Sequence, residues 1–209
     1  MAPVINTRVG LAEDAGSMRG EPITFTNAQG IDVTGITWAN ALSVLRLIVA
    51  LPCAYSIWTG SWRLAATLFV VAVVTDVFDG IVARRRGEVT IFGGLLDHTI
   101  DALFVTFTLG ALAASGIVPF VLPPLAITSF VQYVWDSKVL SGAPLRASVL
   151  GRWNGIGYFV VVGTVVIRQA LGLTWPAEFV ILLMAWALVA STVVSMGDRA
   201  YALWLVKKR

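Results

Sequence analysis

Six apolar stretches, each long enough to cross a lipid bilayer, dominate the sequence. A bilayer core of roughly 30 Å requires about 20 mainly apolar residues per helix, and short polar joints separate the six stretches. Only 13% of the 209 residues are charged, about half the fraction that is usual in soluble domains. The pattern predicts an all-α integral membrane protein with six transmembrane helices. We expect these helices near residues 37–58, 62–84, 91–114, 118–140, 151–172 and 176–197.

The two ends of the chain differ from this apolar domain. Residues 1–35 hold several glycines and prolines but no continuous apolar run, which predicts a soluble tail with room for one interfacial helix, not a cleaved signal peptide. The membrane domain would cover residues 36–200, followed by a basic C-terminal tail at residues 201–209. The single cysteine, Cys53, allows no intrachain disulfide.

Lysine and arginine collect on one side of the predicted membrane domain. The other side receives only Arg63 and Arg168. Because positive residues favour the cytoplasmic side, we expect both termini to be cytoplasmic in a multi-pass protein of a bacterial inner membrane. No basic stripe alternates with exposed aromatic residues, so nucleic acid is not an expected partner. The basic residues on the cytoplasmic side are Arg8, Arg19, Arg84, Arg85, Arg86, Lys138, Arg146, Arg152, Arg199, Lys207, Lys208 and Arg209.

Four aspartates interrupt the second and third apolar stretches. Residues three or four apart share one face of a helix, so Asp76 pairs with Asp79, and Asp97 with Asp101. The joint RRRGEVTI between the two stretches is short, so the helices should run antiparallel as neighbours. At about 1.5 Å rise per residue, both pairs lie at a similar distance from this joint. We therefore expect the four carboxylates to meet in a polar cavity that faces the cytoplasm.

Four carboxylates at one point repel each other, so either some of them take up protons or a cation neutralises them. Carboxylate oxygens suit hard divalent ions, and four of them can bridge two Mg²⁺ or Mn²⁺ ions, an arrangement that binds a diphosphate and activates a hydroxyl. One cysteine and one histidine argue against zinc. Intramembrane aspartates also line cation or proton pathways, so residue types alone are equally compatible with a transporter.

The spacing of residues 76–101 favours the enzyme. The pattern resembles the signature of the CDP-alcohol phosphotransferase family, integral membrane enzymes that make phospholipids from CDP-linked donors. The segment TWANALSVLRL at residues 37–47 and the six-span layout also resemble family members. In order, the signature reads Asp76, two residues, Asp79-Gly80, two residues, Ala83-Arg84, eight residues, Gly93, three residues, Asp97, three residues, Asp101.

The resemblance implies a role for each aspartate. Asp76, Asp79 and Asp97 would ligate the two metal ions, and Asp101 would either join them or act as the general base for the acceptor hydroxyl. His98 lies about 100° around the helix from this face. The string LDHTID resembles part of the choline and ethanolamine phosphotransferase pattern, which favours an amino alcohol, although a packing role for His98 is the simpler interpretation.

The other signature residues would bind the nucleotide. The resemblance implies that Gly80, Ala83 and Arg84 contact the CDP moiety together with the first two aspartates, and that Gly93 lets the two helices pack closely. Small residues let a ligand approach a helix backbone, and an arginine can hold a diphosphate with forked hydrogen bonds.

Basic residues around the fourth-to-fifth joint form a second candidate site. Lys138, Arg146 and Arg152 would bind an acceptor phosphate, as similar residues do in family members with phosphorylated acceptors. The positive-inside rule explains the same charges without a ligand. Arg152 is the best candidate because it lies at the start of the predicted fifth helix, beside the proposed pocket.

Among the polar residues of the first span are an asparagine and an arginine. Asn40 and Arg46 project from this span, and Arg46 is deep enough to need a partner. Arg46 can neutralise part of the carboxylate cluster or pair with a backbone carbonyl, and we favour the cluster.

Together these features predict a metal-dependent enzyme that transfers a substituted phosphate from a CDP-linked donor to an alcohol and releases CMP. CDP-diacylglycerol with a polar acceptor is the favoured pair. The alternatives are a CDP-amino alcohol with diacylglycerol, and a cation or proton transporter that uses the same aspartates. By resemblance alone, we expect a homodimer.

The predicted orientation can be tested by cysteine labelling in intact cells. In a variant that lacks Cys53, cysteines placed at Ile5 and Lys207 should be protected from an impermeant thiol reagent and react after the cells are permeabilised. Labelling of either position in intact cells would place that terminus outside the cytoplasm.

Overall fold

The structure, a computed structural model, describes residues 38–86, 91–136 and 149–207. Six α-helices account for most of these residues. The all-α prediction is confirmed, and there is one helix for each predicted span. The predicted N-terminal tail at residues 1–35 lies outside the described residues. The helices are α1 (Trp38–Trp58), α2 (Trp62–Arg86), α3 (Ile91–Ala114), α4 (Leu122–Asp136), α5 (Val149–Leu171) and α6 (Glu178–Lys207).

Three segments in the described ranges are long and apolar enough to cross a membrane. They are Gly93–Ala114 in α3, Val149–Leu171 in α5 and Glu178–Ala202 in α6. Ser43–Trp58 of α1 is apolar but shorter. The prediction that the chain enters a membrane therefore has support from three helices, and the full count of six spans stays a prediction.

Two helices differ from their predicted bounds by more than two residues. The fourth span was expected from residue 118, but α4 begins at Leu122, whose amide donates to the Pro119 carbonyl at 3.0 Å. Proline has no amide hydrogen and fits only the first turn of a helix, so Pro123 and Pro124 exclude a start at residue 118 and fit a helix that begins at Leu122. At the other end of the chain, α6 continues to Lys207, beyond the expected end at residue 197.

The turns after α1 and α3 end these helices by the same mechanism. Gly60 has φ 72° and Gly116 has φ 74°, a left-handed conformation that glycine adopts without steric cost. In each turn the next amide, that of Ser61 or Ile117, donates to a carbonyl five residues back, at 2.8 and 3.0 Å respectively. This is the Schellman arrangement, which satisfies carbonyls at the end of a helix. It reverses the chain quickly and so keeps consecutive helices adjacent.

A cluster of aromatic rings forms the centre of the bundle. Phe104 of α3 stacks on Phe159 of α5 with ring centroids 5.8 Å apart, and Phe69 of α2 lies 6.3 and 6.5 Å from these two rings. Gly163 of α5 faces Phe69, and a Cβ atom there would lie 2.9 Å from its ring. The missing side chain at Gly163 therefore allows α5 to pack closely against α2.

The packing order places α3 at the centre of the candidate site. Helix α1 packs against α2 and α3, α5 packs against α2, α3 and α6, and α4 packs against α3 and α6. The expectation that α2 and α3 are direct neighbours is not met in the described residues, because each packs against α1 and α5 instead. Side chains of α1 and α2 approach α3 on one flank, and those of α4, α5 and α6 approach the cavity from the other.

Candidate functional site

Three of the four predicted aspartates meet in the structure. Asp76 of α2 and Asp97 and Asp101 of α3 each offer a carboxylate oxygen, and these oxygens lie within 4.8 Å of one another. The side chains are 39%, 30% and 27% exposed, so the cluster is partly buried. The prediction that the two helices bring their carboxylates to one depth is confirmed for these three residues. The Asp79 side chain lies outside the part of α2 whose side chains are described.

A buried arginine from α1 pairs with all three carboxylates. The Arg46 side chain is 0% exposed, and its Nη2 lies 2.8 Å from Asp76 Oδ1. Its Nη1 donates to Asp97 Oδ1 at 3.0 Å and also to Asp101 Oδ1. Ser43, one turn before it on the same face of α1, donates from its hydroxyl to Asp97 Oδ1 at 3.4 Å. The expectation that Arg46 neutralises part of the cluster is confirmed.

The chemistry of this cluster fits a divalent metal. Three carboxylates and one guanidinium carry a net formal charge of −2, which one divalent cation would balance. The donor atoms are all carboxylate oxygens, the ligands that Mg²⁺ and Mn²⁺ prefer. When bound, such an ion would supply positive charge for a diphosphate and its leaving oxygen. Of the described residues, Asp76 and Asp97 would hold it, with Asp101 beside them as a third ligand or as a base.

A cavity of about 530 Å³ opens beside the cluster. Asp76 of α2 and Asp101 of α3 line one part of it, and Arg152 of α5 and Arg199 of α6 line another. The wall between these charges is largely apolar and comes from α3, α4 and α5. The cavity therefore holds an acidic region and a basic region within one space of small-molecule size.

A stack of three side chains joins the helices around this cavity. The His98 ring of α3 lies against the Tyr133 ring of α4, with centroids 6.2 Å apart and planes at 23°. The Arg199 guanidinium carbon lies 4.9 Å from the centroid of the same tyrosine ring, within the range of a cation–π contact. All three residues line the cavity. The structure thus gives His98 a packing partner, as the simpler interpretation of the sequence expected.

Polar contacts fix α6 against α4 and α5 close to the cavity. The Ser191 hydroxyl donates to Asn154 Oδ1 at 2.6 Å, and the hydroxyls of Tyr158 and Thr192 lie 2.5 Å apart. The Gln132 amide nitrogen of α4 donates to the Met196 carbonyl of α6 at 3.0 Å. Buried polar groups need such partners, so these contacts set the position of α6, and with it the position of Arg199.

The structure places some of the other predicted site residues and leaves several untested. Arg152 lines the cavity, as expected of an acceptor-binding residue. Gly93 lies in the first turn of α3. The remaining predicted residues lie outside the described residues or side chains: Lys138 and Arg146 between α4 and α5, Gly80, Ala83 and Arg84 in α2, and Asn40 in α1.

Sequence reasoning missed two residues of the cavity wall. Arg199 was counted only among the cytoplasmic charges, and Tyr133 was not singled out. The two lie 66 positions apart in the chain, and no motif links them. Only the packing of α4 against α6 brings them together.

Comparison with known proteins agrees with the geometry. The model of the CDP-alcohol phosphatidyltransferase family matches residues 36–196, which include all five signature positions that lie in α2 and both aspartates of α3. Among curated proteins, the CDP-diacylglycerol–glycerol-3-phosphate 3-phosphatidyltransferase of Cereibacter sphaeroides is 29% identical over 154 residues, covering 65% of this chain and 70% of that protein.

Two further relatives carry other names. The archaetidylinositol phosphate synthase of Pyrococcus horikoshii is 36% identical over 84 residues, which cover 40% of this chain and 44% of that protein. The phosphatidylinositol phosphate synthase of Mycobacteroides abscessus is 27% identical over 173 residues, covering 79% of this chain and 73% of that protein. The family match extends over most of the chain and includes the carboxylate cluster. The chain therefore belongs to the CDP-alcohol phosphatidyltransferase family.

Proposed function

We propose that this protein is a divalent-metal-dependent phosphatidyltransferase of phospholipid synthesis. It transfers the phosphatidyl group of CDP-diacylglycerol to a phosphorylated alcohol and releases CMP. The observation that carries this proposal is one cavity lined both by two carboxylates of the cluster, Asp76 and Asp101, and by two arginines, Arg152 and Arg199. The cluster would serve the reaction centre, and the arginines would bind the phosphate of the acceptor.

The aspartates divide into metal ligands and a base in this proposal. Asp76, Asp79 and Asp97 hold one or two Mg²⁺ or Mn²⁺ ions, which supply positive charge to the donor's diphosphate. Gly80, Ala83 and Arg84 contact the CDP moiety with the first two aspartates. These assignments rest on the signature, since the side chains of residues 79, 80, 83 and 84 are not described.

Asp101 is the proposed general base. It lines the cavity, so an acceptor hydroxyl can reach its carboxylate. The hydroxyl proton passes to an Asp101 oxygen as the alcohol oxygen forms a bond to the β-phosphorus of the donor. The bond between that phosphorus and the oxygen of CMP breaks at the same time, and CMP leaves with the electron pair. Most of the rate gain then comes from positioning and charge neutralisation.

The acceptor is proposed to carry a phosphate. Arg152 and Arg199 supply two guanidinium groups to the cavity wall, and guanidinium groups bind phosphate with paired hydrogen bonds. The names of all three relatives above include a phosphorylated acceptor or product. Lys138 and Arg146 remain proposed contributors from the joint between α4 and α5.

The cellular setting of the enzyme is also a proposal. We infer a six-span protein with both termini in the cytoplasm of a bacterial cell, because the cavity must admit a water-soluble acceptor and the basic residues concentrate on that side. The homodimer is carried over from the family resemblance.

Removal of divalent metal should abolish transfer. Exhaustive EDTA treatment followed by dialysis should reduce CMP release from CDP-diacylglycerol to background, and Mg²⁺ or Mn²⁺ should restore it, because the carboxylates need a cation to bind an anionic donor. Release of CMP can be measured by chromatography in detergent micelles. Full activity after chelation would contradict the metal mechanism.

Asp101→Asn should separate catalysis from metal binding. The substitution keeps the side-chain shape but removes the proton acceptor, so kcat should fall by at least ~10²-fold, the lower range for loss of a general base. Mn²⁺ affinity, measured by isothermal titration, should stay within a few-fold of wild type. Glu178→Gln, which changes an exposed carboxylate of α6, is the control and should alter neither value. If Mn²⁺ binding is lost together with activity, Asp101 is a metal ligand and its assignment as the general base is wrong.

The acceptor site can be tested with the two cavity arginines. Arg152→Ala and Arg199→Ala should each raise the acceptor KM about tenfold or more, which corresponds to about 1.4 kcal/mol, and change the donor KM little. Assays with CDP-diacylglycerol should compare glycerol 3-phosphate and inositol phosphate with the unphosphorylated alcohols. A separate assay should use CDP-choline as the donor and diacylglycerol as the acceptor. Arg168→Ala, at the far end of α5, is the matched control. Equal effects on donor and acceptor KM would show that the arginines do not recognise the acceptor phosphate.

A further inference from the structure

Arg46 occupies the centre of the carboxylate cluster. It is fully buried, and its guanidinium pairs with Asp76, Asp97 and Asp101, which come from two other helices. Ser43 adds a hydrogen bond from the same face of α1. One side chain of α1 therefore links α2 and α3 at the point where their carboxylates converge.

Arg46 contacts the carboxylates of the proposed metal centre, which are those of the ligands Asp76 and Asp97 and of the base Asp101. The three residues whose oxygens lie within 4.8 Å of one another are the three that pair with the guanidinium. An arginine stays protonated at any ordinary pH, so it cannot give up its charge when a cation arrives. The guanidinium and a divalent ion must share the negative charge of one cluster.

We propose that Arg46 is a positioning residue for the metal centre, which holds the three carboxylates together before a cation binds and lowers the affinity of the centre for divalent ions. This inference rests on the metal site of the proposed function. Like charges held this close repel each other, and Arg46 offsets that repulsion in the metal-free protein. The same positive charge repels an incoming cation.

The physical consequence has two parts that can be measured separately. Without Arg46 the metal-free cluster should be less stable, because three carboxylates then face one another in a partly buried site. A divalent ion should bind more tightly, because it no longer competes with a fixed positive charge. If Arg46 only filled space between the helices, its removal could lower stability but would not also tighten the binding of a divalent ion.

The test uses the purified full-length protein in detergent and Mn²⁺ as the probe. The variants are Arg46→Gln, Arg46→Lys and the control Arg168→Gln, whose arginine lies in the last turn of α5 and faces Glu178 at 4.0 Å. Isothermal titration after exhaustive chelation gives the Kd for Mn²⁺. Thermal unfolding in EDTA and in saturating Mn²⁺ gives the stability of both forms. Neither measurement needs a CDP-linked donor.

We expect Arg46→Gln to unfold at a lower temperature than wild type in EDTA and to bind Mn²⁺ at least about tenfold more tightly. Its gain in unfolding temperature on adding Mn²⁺ should exceed that of wild type. Arg46→Lys keeps the positive charge but loses the planar set of donors that reaches several carboxylates at once. Its Kd for Mn²⁺ should therefore stay within about threefold of wild type, while its unfolding temperature in EDTA falls. Arg168→Gln should match wild type in both measurements.

Unchanged or weaker Mn²⁺ binding by Arg46→Gln would overturn the inference. If Arg46→Gln is recovered only in the presence of Mn²⁺, the metal has replaced the missing counter-ion and the inference is supported. If it is not recovered at all, Arg46→Lys decides: a lower unfolding temperature in EDTA with a Kd within about threefold of wild type supports the inference, and an unchanged unfolding temperature or a larger change in Kd overturns it. A wild-type protein that binds no Mn²⁺ would contradict the proposed metal centre itself, and this inference with it.

Discussion

The ion pairs between Arg46 and three carboxylates are the interaction on which the rest of the site depends. At an effective dielectric constant of about 20, two carboxylate charges at 4.8 Å, the upper limit of the separations in the cluster, repel by about 3 kcal/mol, and each arginine pair at 3 Å attracts by about 5 kcal/mol. Attractions of this size offset the repulsion among the carboxylates, so α1, α2 and α3 can hold these groups together in a setting where an isolated charge would be costly.

The second half of the bundle serves a different purpose. Helix α4 contributes Tyr133, whose ring contacts Arg199, and hydrogen bonds from Ser191 and Gln132 fix α6 against α5 and α4. The aromatic cluster around Phe104 connects this half to α2 and α3. The acidic groups of the cavity therefore come from the first half of the chain and the basic groups from the second half. The helices that carry each group have their own packing contacts.

Much of the acidic half could be predicted from the sequence, because its information is local. Asp97 and Asp101 are one turn apart on one face of α3. The predicted pairing of α2 with α3 is not seen in the described residues, where each of these helices packs against α1 and α5 instead. Arg46 required a partner because a buried charge in an apolar helix cannot stay unpaired. The start of α4 at Leu122 differs from the prediction, although Pro123 and Pro124 account for it, because proline fits only the first turn of a helix. Arg199 could not be found in this way, since the positive-inside rule accounts for its charge equally well and its contact with Tyr133 depends on how α6 packs.

The two charged regions make sense together only if the reaction joins two anions. Within the proposed function, a diphosphate donor and a phosphorylated acceptor must approach each other and also approach the carboxylates, and each of these encounters is repulsive. Arg152 and Arg199 offset the acceptor's charge at one part of the wall, while a divalent cation and Arg46 offset the carboxylates at another. In a largely apolar cavity these attractions are stronger than they would be in water. A site with a single positive region could hold one anionic substrate well. A cavity with arginines at one part of its wall and a metal-carboxylate cluster at another can bring two anions within bonding distance of each other.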